Sequence, residues 1–447
     1  MTTEVDDFLR ANPDVSTIEV LLPDINGVMR GKWLPSSKLA SVYNGELKLP
    51  KSTFFLDIWG RDVAELVFAQ GDQDGICYPI EGTLLPTPYA EDSSQGQLML
   101  TMFADDGAPY LGDPRQILKR TLARFRARNW RPVVAVELEF SLAHWNGEEL
   151  LHPGIHQSQT APLGGDLYDL QHLKKHQPLF DEIQQACLLQ RLPFDGVIKE
   201  AAPSQFEINM HHVDCPVLAA RQILMMKRII KELSRKHGLC ASFMPKPFAG
   251  EAGNGMHVHC SILDERGTNV FDDGTNRGTA ELLAAVGGCL DNLADSFAVL
   301  APSYNAFRRF VRRSHAPNTP CWGYDNRTVA IRIPAGKPSS RRIEHRVAGA
   351  DANPYLILAV ILGAILDGIE QNLMPGDPTS GNAYQNSEAS LPTHMPAALD
   401  TFEASPFIHK VLGTEFQRSF AMTKRQEYDE FARQVSRFEY QAYAERL

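Results

Sequence analysis

Apolar and polar positions alternate like strands through residues 17–34, interrupted at Pro23-Asp24-Ile25-Asn26-Gly27, where Asn-Gly supplies a turn. Strand patterning returns at 133–142, 195–199, 205–211, 256–263, 328–333 and 342–347. Between these runs, 169–191, 214–237, 279–300 and 353–371 repeat apolar residues at helical spacing. Asp113-Pro114-Arg115 places an acidic cap before a proline at the first helical position, and the helix it opens (116–128) is basic on one face. A domain boundary is expected there, dividing the chain into residues 1–112 and 113–447. Residues 379–396, rich in Ser, Thr, Asn and Pro, read as an exposed loop, and 402–445 as an amphipathic, charged helical segment. No internal repeat or low-complexity tract interrupts this order.

Composition narrows the class. The 447 residues are 43% hydrophobic and 22% charged, enough to bury large cores in more than one domain. A formal net charge of -10 leaves no basic footprint for nucleic acid or an anionic membrane. Cysteines 77, 187, 215, 240, 260, 289 and 321 lie far apart without a Cys-x-x-Cys, so neither a zinc site nor a disulfide framework is indicated. The opening Met-Thr-Thr-Glu-Val-Asp-Asp lacks the basic-then-apolar order of a signal peptide. The apolar run 355–366 is too short to span a bilayer and ends at Asp367. A cytoplasmic enzyme is expected.

Chemistry concentrates in four short motifs: Glu137-Leu138-Glu139, Glu200 with Glu207, His257-Val258-His259, and Glu344-His345-Arg346. Residues i and i+2 of a strand share a face, so Glu137 projects with Glu139 and His257 with His259. Adjacent carboxylates repel unless a cation lies between them, and hard divalent ions such as Mg²⁺ or Mn²⁺ suit them. The plain alternatives are a solvated strand edge for Glu-x-Glu and two satisfied core histidines for His-x-His. The apolar lead-in Val133-Val134-Ala135-Val136 weighs against the first, and Gly250-Glu251-Ala252-Gly253-Asn254-Gly255 against the second, because such a run lets backbone N–H groups approach an anion. Arg308, Arg309, Arg312, Arg313, Arg327, Arg332, Arg341, Arg342 and Arg346 crowd the next stretch. They are either a solvated surface or, where strand alternation turns them inward, ligands for phosphate and carboxylate. Metals with inward arginines describe phosphoryl transfer, yet no Walker A loop, kinase glycine loop or Gly-x-Gly-x-x-Gly is present.

Five blocks together resemble the glutamine synthetase family. They are Val136-Glu137-Leu138-Glu139-Phe140; Glu200-Ala201-Ala202-Pro203-Ser204-Gln205-Phe206-Glu207; Gly253-Asn254-Gly255-Met256-His257-Val258-His259; Asn326 through Pro334; and Arg342-Ile343-Glu344-His345-Arg346 with Ala352-Asn353-Pro354-Tyr355-Leu356, in family order over 130–360. The resemblance implies an α+β fold, with a small N-terminal β-grasp domain and a larger catalytic domain whose curved antiparallel sheet is flanked by helices. It implies a homo-oligomer, a dodecamer of two hexameric rings, with each site between neighbouring subunits. It also implies ATP as a substrate and two or more Mg²⁺ or Mn²⁺ per site. One metal would be held by Glu139, Glu200 and Glu207, the other by Glu137, His257 and Glu344. Arg309 and Arg346 would grip L-glutamate and the transferring phosphoryl group, and Gly253 would touch the substrate. Arg327, Arg332 and Arg342 would neutralise phosphates, and His259 and Ser261 would lie against the nucleotide. In the family reaction the γ-carboxylate of glutamate attacks the γ-phosphate of ATP, and a neutral amine displaces phosphate from the acyl phosphate.

The chain departs from the ammonium-using enzymes in two places. His315 stands where they carry a flap glutamate, and Phe54-Phe55-Leu56-Asp57-Ile58-Trp59-Gly60 replaces Phe-Asp-Gly-Ser-Ser, leaving Asp57 as counterpart of the ammonium-binding aspartate. A site that loses anionic groups and gains aromatic surface favours a larger amine. With Asp24-Ile25-Asn26-Gly27-Val28-Met29-Arg30-Gly31-Lys32 and Cys321-Trp322-Gly323-Tyr324-Asp325-Asn326-Arg327, these traits resemble the γ-glutamylpolyamine synthetase branch. Asp57, Trp59 and His315 form the expected amine pocket. His315 is either the base that takes the amine's proton or a residue that only lines the loop, and Asp57 is the other candidate base. The bacterial adenylylation tyrosine falls at Met374. The expected function is an ATP-dependent glutamate–amine ligase acting on a polyamine such as putrescine or on a monoamine. Its rivals are an ammonium-using glutamine synthetase and a catalytically silent regulator.

Overall fold

The computed structural model describes residues 3–153, 167–310, 316–385 and 391–447. Two sheets organise the α+β chain. The first contains β1 (Thr17–Pro23), β2 (Met29–Pro35), β3 (Lys48–Pro50), β4 (Asp74–Pro79), β5 (Leu85–Pro86) and β6 (Gln95–Phe103), in the order β2-β1-β6-β4-β3 with β5 on β6. Its β1 and β6 run parallel within otherwise antiparallel pairings. The second contains β7 (Arg131–Trp145), β8 (Leu150–Leu151), β9 (Phe194–Lys199), β10 (Gln205–Met210), β11 (Cys240–Ser242), β12 (Met256–Leu263), β13 (Trp322–Tyr324), β14 (Ile331–Ile333) and β15 (Ile343–His345). Its order is β13-β14-β15-β12-β7-β10-β9, with β8 and β11 also paired to β7.

Local chemistry sets several boundaries. Between β1 and β2, Asp24 Oδ1 accepts from the N–H groups of Asn26 and Val28 at 2.9 Å, and Gly27 takes φ +71°, where a Cβ would be strained. The helix Pro114–Arg126 between the sheets starts as expected, with Asp113 Oδ1 accepting from Arg115 N at 2.8 Å and proline in the first turn. Other helical patterns divide. Residues 169–191 form Leu170–Lys175 and Gln177–Leu189, 279–300 form Ala280–Asp291 and Leu293–Leu300, and the C-terminal stretch breaks into four helices from Met395. Pro178, Pro406 and Gly413 sit at such breaks, where a missing N–H or a positive φ ends the periodicity.

Alternation along the second sheet separates a polar face from an apolar one. Val136, Leu138, Phe140, Phe206, Ile208, Val258, Cys260 and Ile343 are buried on the apolar face. The helix Pro216–Lys236 packs against β7, and Pro354–Gln371 packs against it, against Pro114–Arg126 and against Ala280–Asp291. The crossing with Ala280–Asp291 depends on glycine: a Cβ on Gly288 would stand 2.1 Å from the Ala364 carbonyl oxygen, and one on Gly368 2.1 Å from that of Ala284. By length and composition Pro354–Gln371 could cross a membrane, contrary to the expectation from its apolar run, but 83% of it is buried inside the protein as a core helix.

The first sheet is tied to the rest of the chain by polar groups. Asn353 Nδ2 donates to the Asp24 carbonyl at 2.7 Å. Glu427, on the helix Thr414–Arg433, accepts from Ile58 N at 2.8 Å, Asn26 Nδ2 at 3.2 Å and Lys424 Nζ at 2.9 Å. Lys424 Nζ also donates to Asn26 Oδ1.

Candidate active site

Strand register builds the polar face. Opposed residues of an antiparallel pair point to the same side of a sheet. Glu137 of β7 is opposite His257 of β12 and Asn209 of β10, Glu139 is opposite Glu207, and Glu344 of β15 is opposite both His259 and Arg332. Five strands therefore deliver carboxylates, imidazoles and a guanidinium to one surface, and Ser261 follows on the same side of β12. Glu200 joins from the turn after β9, where its N–H donates to the Gln205 carbonyl at 2.9 Å.

Electrostatics divides this surface. At one end Glu207 is pushed up to about 9 by burial and by Glu137, Glu139 and Glu200, and Glu200 up to about 7 by burial and by Glu139. This end carries more negative charge than its neighbours neutralise. In the middle Glu137 accepts from His257 Nδ1 at 3.1 Å and His259 Nε2 at 2.8 Å. Burial raises its pKa, but the two imidazoles together hold it well below the usual carboxylate range. His259 Nδ1 accepts from Arg342 Nε at 3.1 Å, which makes Nε2 the protonated nitrogen facing Glu137. At the far end Glu344, 1% exposed, accepts from Arg332 Nη1 at 2.7 Å and from Arg346 Nη1. Burial raises its pKa most, but Arg346, His257 and His259 together hold it below the usual carboxylate value.

Two donor sets have the chemistry of divalent-cation sites: Glu137, Glu207 and His257, and Glu137, His259 and Glu344, with ligand atoms within 4.8 Å of one another in each. The uncompensated carboxylates fit a bound cation for the same reason. This division differs from the one expected from the sequence. Glu137 belongs to both sets, and His259, expected against the nucleotide, stands among the carboxylates because it shares a strand face with His257. Glu139 is instead engaged by the protein, its Oε2 accepting from Gly255 N at 2.6 Å and Gln205 Nε2 at 3.3 Å.

The glycine run and the arginines complete the surroundings. A Cβ on Gly253 would lie 2.1 Å from the Pro245 carbonyl oxygen, and one on Gly255 2.5 Å from Arg309 Nη2, so both positions need the bare backbone. Arg309 is 3% exposed and donates from Nη1 to the Val347 carbonyl at 2.7 Å, which places it as a brace for the segment after β15 as well as a neighbour of Gly253 and Gly255. Arg327 lies exposed in the turn before β14. His345 alternates to the opposite face, where burial pushes it down to about 3.

Of the expected amine pocket, the described residues include Asp57 and Trp59, which share one turn. His315 lies outside the described residues. Asp57 is fully buried in its own turn: Oδ1 accepts from Trp59 N at 3.0 Å and Arg61 N at 2.9 Å, and Oδ2 from Arg61 Nε at 2.8 Å and Gln426 Nε2 at 2.9 Å. Four donors saturate its lone pairs. Burial alone would raise its pKa, but these bonds lower it, and they tie Asp57 to the Trp59 turn. Trp59 is 46% exposed and packs on Phe431, which stacks on Tyr304 at 5.2 Å. Among the described residues, no hydrogen bond, ion pair or ring contact joins this turn directly to the carboxylate face.

Gln205 and Asn209 were not anticipated as site residues. Gln205 holds Glu139 and the Gly253 carbonyl, and Asn209 is opposite Glu137 and hydrogen-bonds Glu207. Their signal was available, since both stand two residues from Glu207 on the same strand.

A sequence profile described as "Glutamine synthetase, catalytic domain" matches residues 111–443. The chain is 36% identical over 446 residues to gamma-glutamylputrescine synthetase PuuA of Escherichia coli (strain K12), covering 98% of this chain and 93% of that one. It is 29% identical over 445 residues to glutamine synthetase of Thermus thermophilus, covering 96% of each. A solved structure described as "GmaS/ADP complex-Conformation 1" superposes with a TM-score of 0.87 at 28% identity, covering 99% of this chain and 100% of that one.

Proposed function

Because the chain belongs to the glutamine synthetase family, we propose that it joins the γ-carboxylate of L-glutamate to an alkyl amine such as putrescine, consuming ATP and releasing ADP and phosphate. It is an ATP-dependent carbon–nitrogen ligase. A γ-carboxylate oxygen attacks the γ-phosphorus, the bond from that phosphorus to the ADP oxygen breaks, and a γ-glutamyl phosphate forms. The amine nitrogen then attacks the acyl carbon, phosphate leaves with its bonding pair, and the nitrogen gives up a proton. Arg332, Arg342 and Arg346 supply fixed positive charge where phosphoryl oxygens gather, so no solvent need reorganise there. Gly253 and Gly255 keep the floor open for substrate, and Gln205 holds Glu139 in place. Glu137, Glu207, His257, His259 and Glu344 would hold two divalent cations, Mg²⁺ or Mn²⁺, which neutralise charge and orient oxygens when bound.

The observation that carries the choice of an alkyl amine over ammonium is the saturation of Asp57. A carboxylate that collects and deprotonates NH₄⁺ needs an open oxygen, and Asp57 has none, while Trp59 of the same turn packs on Phe431, which stacks on Tyr304. An aromatic wall suits methylene groups and a distal ammonium. The higher identity to the E. coli relative than to the Thermus glutamine synthetase supports the same choice. The Trp59 turn would serve the site of a neighbouring copy in a ring oligomer, and His315 remains the candidate for proton removal. Phosphate release with glutamate, ATP and a panel of putrescine, isopropylamine and ammonium tests the proposal. Putrescine should turn over fastest; ammonium equal to or better than putrescine would overturn it.

A further inference from the structure

A second concave site lies away from the carboxylate face, between the first sheet and the starts of the helices Pro114–Arg126 and Pro216–Lys236. It has a volume of about 650 Å³, within the range of small-molecule sites, and shares no lining residue with the catalytic surface. Two of its walls carry cations: Arg115 and Lys119 from one helix and Arg221 from the other. Among the described residues none of the three side chains forms an ion pair or a hydrogen bond, and Arg115 Nε is buried without a partner. The chain has net charge -10, and its buried Arg309, Arg341 and Arg346 each donate to an acceptor, so three unpartnered cations around one cavity are out of character.

Nothing inside the protein offsets them fully. Asp113 is within reach, but its oxygens accept from Thr101 Oγ1 at 2.6 Å, Met102 N at 3.1 Å and Arg115 N at 2.8 Å. Glu81, the acidic residue of the lining, is exposed. Burial chiefly lowers the pKa of both Lys119 and Arg221, and Arg115 lowers both further, together outweighing the opposite pull of Asp113 on Lys119 and of Tyr355 on Arg221. The helix Pro216–Lys236 adds to the field, because its N-cap Cys215 provides no side-chain bond to the first N–H groups. Phe103, Val217 and Leu218 make the remaining wall apolar.

We propose that this cavity is a binding site for a small polyanion, a phosphate ester or polycarboxylate with an apolar body, gripped by Arg115 and Arg221 as forked donors with Lys119 as a point charge. The site is independent of the ligase reading. Its occupant bridges β4 and β6 to the helix packed on β7, and so stabilises the join between the two sheets.

The test uses the metal-free full chain with inorganic phosphate and citrate as separate probes, against sodium chloride at matched ionic strength. Either probe should raise the thermal midpoint of the parent by a few degrees, as a ligand in large excess over its dissociation constant does. A response to phosphate alone assigns the phosphate-ester class, and a response to citrate alone the polycarboxylate class. In Arg115→Gln/Arg221→Gln the apparent affinity should fall at least about tenfold per guanidinium removed. Leu218→Trp keeps the charges but fills the cavity, and should also abolish the shift. ADP binding should be unchanged in both variants. Equal shifts in parent and variants would place the anion on the catalytic arginines and overturn the proposal. So would a parent that responds no more than to chloride, or a change of oligomeric state in the variants, which would show the cavity to hold another copy of the chain.

Discussion

Replacing Glu344 by Gln tests the catalytic surface at its most constrained point. The side chain is 1% exposed and wedged between Arg332 and Arg346, and it stands in a donor set with Glu137 and His259. Glutamine has the same shape, but it offers one acceptor and turns an NH₂ group toward a guanidinium. One charge-assisted hydrogen bond is lost to a donor–donor contact, at a cost of about 1.5–3 kcal/mol. Two buried guanidinium groups are left short of negative charge, and the donor set loses one of its two carboxylates. If the surface works by fixed electrostatics, the loss of transition-state stabilisation is about 3–4 kcal/mol, or roughly 10²–10³ in kcat. The measurement is phosphate release at saturating ATP, glutamate and amine over a titration of Mg²⁺ and Mn²⁺, with circular dichroism and sedimentation as controls for folding. Turnover within threefold of the parent, in a variant that folds and binds metal normally, would refute the role given to Glu344.

Lys424→Met removes one partner of a buried ion pair and leaves Glu427 charged in the interior, which costs about 3–5 kcal/mol. The thermal midpoint should fall by several degrees, and Lys424→Met/Glu427→Leu should recover part of the loss; an unchanged midpoint in the single variant would contradict the interior charge assignment. Glu200 and Glu207 are raised to about 7 and about 9 from 4.5 without metal, so their contribution to the metal-free protein is fully present below pH 4.5 and is lost as pH rises through 7 to 9. The metal-free midpoint should therefore decline over that window. Mg²⁺ or Mn²⁺ binding at pH 7 should release protons, seen as a buffer-dependent binding enthalpy, and no buffer dependence would show these carboxylates already ionised.

Features under short-range control were legible along the chain alone. The two-residue period of a strand put Glu137 with Glu139 and His257 with His259, and Asp113-Pro114 marked a helix start, because each depends on neighbours a few residues apart. The same period would have yielded Gln205 and Asn209 had it been read outward from Glu207. Five motif blocks in order carried the family because chemistry restricts which residues can stand there. Other features were decided only by long-range pairing. Glu137 is shared by two donor sets because β12 and β15 bring His257, His259 and Glu344 across the sheet to it. Asp57 looks like a free carboxylate in the sequence, yet Gln426, 369 residues away, closes its last lone pair. Arg115, Lys119 and Arg221 carry no shared motif, and their common cavity exists because two helices start against one sheet. Charge and hydrogen-bond capacity are written in the residues, but whether a group is already satisfied depends on partners that only the folded chain brings within about 3 Å.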